Sequence, residues 1–299
     1  MKPVFEGRSY KGVSLSEELT SNQEKILEEN IVWAFGSLEP TSFVTRLLSN
    51  HFATLNQPLF ALFLNGFLIT KEMTTSLEFH QNRFDYFFNY GYKDIWQFYL
   101  RKLILNRIYA QFRDLSKKII IKEPNGSLAA DIIAECFPHS KIVIVLRDGR
   151  DIVDSKIDAN LEEGWIAKRR GFVNFDRLGF IKDRARSWAL LIQILMNTYE
   201  HHSDELRYLL RYEDLRKNTV RELQKIYSFL DIDIKKEELE RLASKYSFEN
   251  IPDDLKGKGK NRRSATPGKW KENFSDEEKK IMTKIMGTML NKLGYNTTT

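Results

Sequence analysis

Short, continuously apolar runs alternate along this chain with longer stretches whose apolar positions recur at helical spacing. Ile31–Phe35 (IVWAF), Ile119–Ile121 (III) and Lys141–Leu146 (KIVIVL) are rich in β-branched residues and bounded by turn residues. Such runs predict parallel strands covered on both faces, and Tyr208–Arg211 is a weaker candidate for another. Between them, Thr41–Asn50 carries Phe43, Leu47 and Leu48 at helical spacing, with Pro40 suited to the first helical position. Helices are also predicted over Ser127–Phe137, Phe180–Tyr199, Asp214–Leu230 and Ser275–Leu293, the last opened by a Ser275–Glu278 capping box. Strand–helix alternation predicts an α/β fold with a central parallel sheet. Residues 52–116 depart from it. They are crowded with aromatics (FDYFFNYGYKDIWQFY), look helical without clear strands, and read either as an insertion covering a site or as a plain helical subdomain.

Composition narrows the class. At 299 residues, 42% hydrophobic and 29% charged, the chain is of globular type and long enough for a substantial core. It has no apolar run of transmembrane length and no signal-like N-terminal stretch. Cys136 is the single cysteine, which excludes an intrachain disulfide and a cysteine-built zinc site. The expectation is a cytoplasmic protein with no membrane span and no metal. The net charge of +6 matters through its placement. Lys256–Lys271 (KGKGKNRRSATPGKWK) has seven basic residues and no acid, which suits a polyanion or a solvated loop.

Two constellations carry chemistry. After Ile31–Phe35 come Gly36-Ser37-Leu38-Glu39-Pro40-Thr41-Ser42 and a helix. A tight turn and hydroxyls at a helix start form an anion site, because free N–H groups and the dipole face it. The Gly-Lys pair of a Walker A loop is missing. The second constellation is stronger: KIVIVL ends in Arg147, and RDGRDIVDS follows. Arg147 therefore sits at a strand's carboxyl end, where open parallel sheets bind ligands, with Ser155 two turns into the next helix. A guanidinium and a hydroxyl so placed suit one phosphate. Another strand ends in Lys122-Glu123-Pro124, which puts an ammonium at a carboxyl end as well.

The order of these pieces resembles the PAPS-dependent sulfotransferases, whose donor is 3′-phosphoadenosine 5′-phosphosulfate (PAPS). IIIKEP and FPHSKIVIVLRDGRDIVDS are similar to that family's lysine strand and 3′-phosphate segment, in the RDGR form of its tyrosylprotein and bacterial branches. RYEDLRKNTVRELQKIYSFLDI resembles its Tyr-Glu-Asp-Leu strand-to-helix element, and NRRSATPGKWKENFSDEEKKI the basic loop that closes over the nucleotide. The resemblance covers most of Ile31–Tyr295. It implies one three-layer, P-loop-like domain over 1–299, with a helical insertion at 52–118 and a closing loop at 256–271. It implies that Arg147, Ser155 and Arg263, with Arg262 and Ser264 nearby, hold the 3′-phosphate. Gly36, Ser37, Thr41 and Ser42 would hold the phosphosulfate, and Lys122 would be the catalytic residue that steadies the sulfuryl group. Sulfuryl transfer, like phosphoryl transfer, is an in-line displacement served by positioning and charge. The acceptor would be a hydroxyl, or an amine, of a small molecule, glycan or protein.

Two positions depart from the family pattern. Leu38-Glu39-Pro40 stands where the family carries a basic residue followed by Ser-Gly, so the loop lacks its cation and gains an acid. Gln57 stands where a catalytic base is expected, leaving Glu123, Glu78 and His80 as candidates; a base contributes about 10²–10⁴-fold. These departures fit an alternative, a sulfotransferase-like protein that binds or scaffolds without turnover. Nucleic-acid binding is disfavoured, because closure gives the basic loop a more specific role. Tyr212-Glu213-Asp214 reads as a structural junction, and His201 and His202 as exposed.

Overall fold

Each of these apolar runs forms a strand in the computed structural model, which describes residues 19–36, 38–56, 90–124, 126–171, 174–260 and 262–297. The readings that rest on Ser37, Gln57, Glu78 and His80 lie outside the described residues. Helix α1 (Ser21–Glu29), opened by a Thr20–Gln23 capping box, leads into β1 (Ile31–Gly36) and α2 (Leu38–Leu48). Then follow β2 (Ala53–Asn56), α3 (Lys93–Gln111), β3 (Ile119–Lys122), α4 (Ala130–Cys136), β4 (Lys141–Leu146) and α5 (Gly149–Asn160). After α6 (Trp165–Arg170), α7 (Arg177–His201) and β5 (Arg207–Arg211) come α8 (Tyr212–Lys217), α9 (Thr219–Phe229) and α10 (Lys236–Lys245). The described chain closes with α11 (Trp270–Asn273) and α12 (Asp276–Lys292), the latter under the Ser275–Glu278 capping box read from the sequence.

The five strands are all parallel, in the order β2-β3-β1-β4-β5. Successive side chains point to opposite faces of a strand. Trp33, Phe35, Ile121, Ile142 and Ile144 pack in one cluster with Ile133 of α4, Trp188 and Ile192 of α7, and Met286 of α12. Val32, Ala34, Ile120, Val143 and Val145 pack in another with Val44 and Leu47 of α2 and Leu223 and Ile226 of α9. Two covered faces are why these runs are continuously apolar rather than alternating. Each fully buried Val, Leu, Ile or Phe contributes about 1.5–3 kcal/mol over leaving it exposed.

Four local differences from the sequence reading have physical causes. Strand β2 lies inside the stretch read as having no clear strand. It is four residues long, ATLN, and among the described residues pairs on one side only, with β3, so the sheet rather than its own propensity holds it. The helix read over Asp214–Leu230 is two helices. Asn218 (φ −147°, ψ 76°) breaks it, and its side chain accepts from the Arg221 N–H at 3.2 Å as an N-cap. Helix α2 begins at Leu38, before Pro40; a first-turn proline loses nothing, because that N–H has no intrahelical acceptor. His202 is buried rather than exposed, with Nε2 2.8 Å from the Ser140 carbonyl, and burial pulls its pKa down. It caps the end of α7, where the chain turns back toward the sheet. No helix among the described residues is long and apolar enough to cross a membrane.

Candidate functional site

The carboxyl ends of the central strands meet at one edge of the sheet. Gly36 lies opposite Val145, Ala34 opposite Lys122, and Leu146 opposite Arg211. Gly36 has φ +136°, and a Cβ there would stand 2.4 Å from the Val145 carbonyl oxygen. Only glycine turns the chain so close to a neighbouring strand. Its N–H donates to Ser127 Oγ (3.0 Å), whose hydroxyl donates to the Glu123 carbonyl (2.9 Å), tying the ends of β1 and β3 together. Gly36→Ala is expected to destabilise by more than the roughly 1 kcal/mol of an average point mutant, since about 1–3 kcal/mol of backbone strain adds to the collision. A urea midpoint equal to wild type would show that the turn has another route.

Across this edge, Lys122 Nζ donates to Ser42 Oγ at 3.1 Å, so two predicted site residues far apart in sequence touch. Lys122 is 8% exposed, and burial, then the Arg46 charge, pull its ammonium below the ordinary lysine value, with Glu123 opposing. Thr41 is fully buried beside them. Because α2 starts early, Thr41 and Ser42 stand one turn deeper in the helix than the sequence suggests. Glu123, the one candidate base among the described residues, is buried, and its Oε1 accepts from the Gly126 N–H at 3.0 Å.

A cleft whose wall includes Phe43, the residue after Ser42, is lined by Arg147, Ser155, Arg262, Arg263 and Ser264, so all five side chains assigned to the 3′-phosphate converge. Its other walls include Tyr212 and Tyr246. The Arg147 guanidinium lies 4.9 Å from the centre of the Tyr212 ring. Tyr212, expected in a structural junction, is thus a wall of the cleft. Glu213 is the junction: it accepts from the Asp148 N–H (2.8 Å) and from the Tyr295 hydroxyl (3.0 Å). Burial pushes its carboxyl up.

The basic segment 256–271 folds back onto α5 through three acids of that helix. Asp151, Asp154 and Asp158 stand at i, i+3 and i+7, one face of a helix. Asp151 accepts from the Gly268 (2.7 Å) and Trp270 (3.3 Å) N–H groups, and Asp158 from that of Gly259 (3.0 Å). Asp154 accepts from the Asn273 amide (3.0 Å) and pairs with the Arg263 guanidinium. Arg263 therefore lines the cleft while held from behind by a carboxylate. Arg150, the second arginine of RDGR, is buried against Asp148 and lies 4.0 Å from the centre of the Trp270 ring, so it anchors the closing segment rather than a ligand. The helical spacing of three aspartates opposite a basic loop was the signal available in the sequence.

Residues 41–236 match the sulfotransferase family. None of the curated proteins compared by sequence matches the chain. Among solved structures, the fold is similar to the mouse sulfotransferase SULT7A1 complexed with PAP, at 12% identity and TM-score 0.55, over 89% of this chain and 86% of that one. It is similar to sulfotransferase STF9 from Mycobacterium avium at 10% identity and TM-score 0.55, covering 92% and 80%. The sulfotransferase domain of the Synechococcus PCC 7002 olefin synthase gives 14% identity and TM-score 0.50, covering 87% and 94%. At these identities the likeness is one of fold.

Proposed function

We propose that this chain, which belongs to the sulfotransferase family, transfers a sulfuryl group from PAPS to a hydroxyl, or secondarily an amine, of its acceptor. The observation that carries the reading is the cleft where Arg147, Ser155, Arg262, Arg263 and Ser264 face aromatic walls, one of them Phe43, which follows the Lys122-bound Ser42. Guanidinium and hydroxyl groups suit a phosphate, and aromatic faces suit a purine. These residues fit PAPS. Its chemistry, when bound, is that of an activated sulfuryl group transferred in line, with negative charge growing on the phosphate left behind. Arg147 and Ser155 bind the 3′-phosphate, with Arg263 held against Asp154 at the cleft wall. Lys122, oriented by Ser42, carries the positive charge that offsets the growing negative one. Segment 256–271, latched to α5, keeps water out. Three of its cations are engaged within the fold, Lys256 with Asp253, Arg263 with Asp154 and Lys269 with Glu272, which favours a closing role over nucleic-acid binding.

A small-molecule, glycan or protein acceptor in the cytoplasm fits this reading. One observation favours the alternative of binding without turnover: Glu123 already has a backbone partner and is buried. The test is an acceptor screen with labelled PAPS, run beside titration of the product 3′,5′-diphosphoadenosine. Label transfer supports the enzyme, nucleotide binding with no transfer supports the alternative, and no binding rejects both.

A further inference from the structure

The departure at Leu38-Glu39-Pro40 leaves the turn after β1 without the cation its relatives carry there, and the fold places another cation near by. Arg46 is half-buried in the last turn of α2. Its position is bracketed along that helix by residues that face the site. Ser42, one turn before it, holds Lys122. Phe43 lines the cleft. Ser49, three residues after it, stands with Oγ 3.4 Å from the hydroxyl of Tyr246, itself a wall of the cleft.

Arg46 has company but, among the described residues, no counter-ion. Burial, and next the Arg262 guanidinium, pull it below the ordinary arginine value, and its charge in turn lowers Lys122. Among the described residues no carboxylate comes within ion-pair distance of Arg46, Lys122 or Arg262, and no hydrogen bond occupies the Arg46 guanidinium. Neighbouring cations that are partly desolvated and have no ion-paired carboxylate repel one another. An arginine at a helix C-terminus gains from the dipole, but that accounts for neither the burial nor the crowding. A doubly charged anion between them accounts for both.

We propose that Arg46 is a donor-phosphate cation: its guanidinium binds the 5′-phosphosulfate beside Lys122, supplying from the last turn of α2 the charge that the Gly36–Ser42 sequence lacks. This rests on the reading of the cleft as a PAPS site. Arginine suits the task because its planar fork pairs with two oxygens of one phosphate.

The test compares two nucleotides by calorimetry on the full chain: 3′,5′-diphosphoadenosine, which has the 5′-phosphate, and adenosine 3′-monophosphate, which lacks it. Wild type is expected to prefer the diphosphate. Arg46→Gln is expected to weaken the diphosphate by about tenfold or more, the scale of one charge-assisted hydrogen bond, and to leave the monophosphate unchanged. Arg46→Lys, which keeps the charge and loses the fork, is expected to fall between. Should Arg46→Gln not fold, Arg46→Lys carries the comparison alone, with a severalfold loss confined to the diphosphate. Equal affinities in variant and wild type, or equal losses for both nucleotides, would overturn the assignment while leaving the donor site standing. A wild type that binds neither nucleotide overturns the donor site itself, and this assignment with it.

Discussion

Lys122→Met is expected to lower kcat for sulfuryl transfer by about 10²–10³-fold, the cost of removing one preorganised group that meets transition-state charge. Affinity for 3′,5′-diphosphoadenosine should change far less, because other groups carry ground-state binding. The expectation follows from position. Lys122 ends β3, opposite Ala34, so its ammonium is delivered to the carboxyl edge by a strand that cannot shift register without moving its whole buried face. Ser42 Oγ at 3.1 Å fixes its direction. The pH dependence has a definite sign. In the proposed role the charged form does the work, and burial with the nearby Arg46 lowers the pKa, so activity is expected to be lost as pH rises, starting below the roughly 10.4 of a free lysine. The alkaline limb of kcat/KM, which reports the free enzyme, should therefore lie below that value in wild type and move outward in Lys122→Arg. An unchanged kcat in Lys122→Met would remove this residue from the chemistry.

Arg147→Ala should be the most damaging substitution for nucleotide binding. Arg147 is 7% exposed, follows the last residue of β4, and lies over Tyr212 in the cleft wall. Losing one partner of a buried, hydrogen-bonded charge pair costs about 2–5 kcal/mol, or some 30- to several-thousand-fold in affinity. Calorimetric titration of 3′,5′-diphosphoadenosine would read this directly. Arg147→Lys should recover little, since an ammonium cannot reproduce the two parallel bonds or the stacking. Wild-type affinity in Arg147→Ala would mean that the 3′-phosphate is held elsewhere.

Much of this site was legible in the chain. Gly36, Lys122 and Arg147 each terminate or follow a strand, and a strand end can be read from a few residues. The helix-borne Ser155 followed from its spacing to Arg147. The basic segment 256–271 announced itself by composition. Other parts were not legible. Tyr212 gave no sign of being a cleft wall, because a tyrosine after a strand looks the same whether it faces core or ligand. Ser127 binds the Gly36 N–H from 91 residues away, and no local pattern encodes that contact. His202 is buried by what packs on it, not by its own helix.

Sequence by itself determined the class of fold and the inventory of charges at its edge, because continuous apolar runs specify strands covered on both sides and turn residues specify where those runs stop. Tertiary structure decided which charges are already spent. It pairs Arg263 with Asp154 and Arg150 with Asp148, and leaves Arg46, Lys122 and Arg262 without a carboxylate at ion-pair distance among the described residues. The reason is that apolar patterning acts along a few neighbouring residues, whereas Coulomb energy depends on distance through space and on burial. A cation's freedom to bind a ligand is settled only when distant segments fold against it.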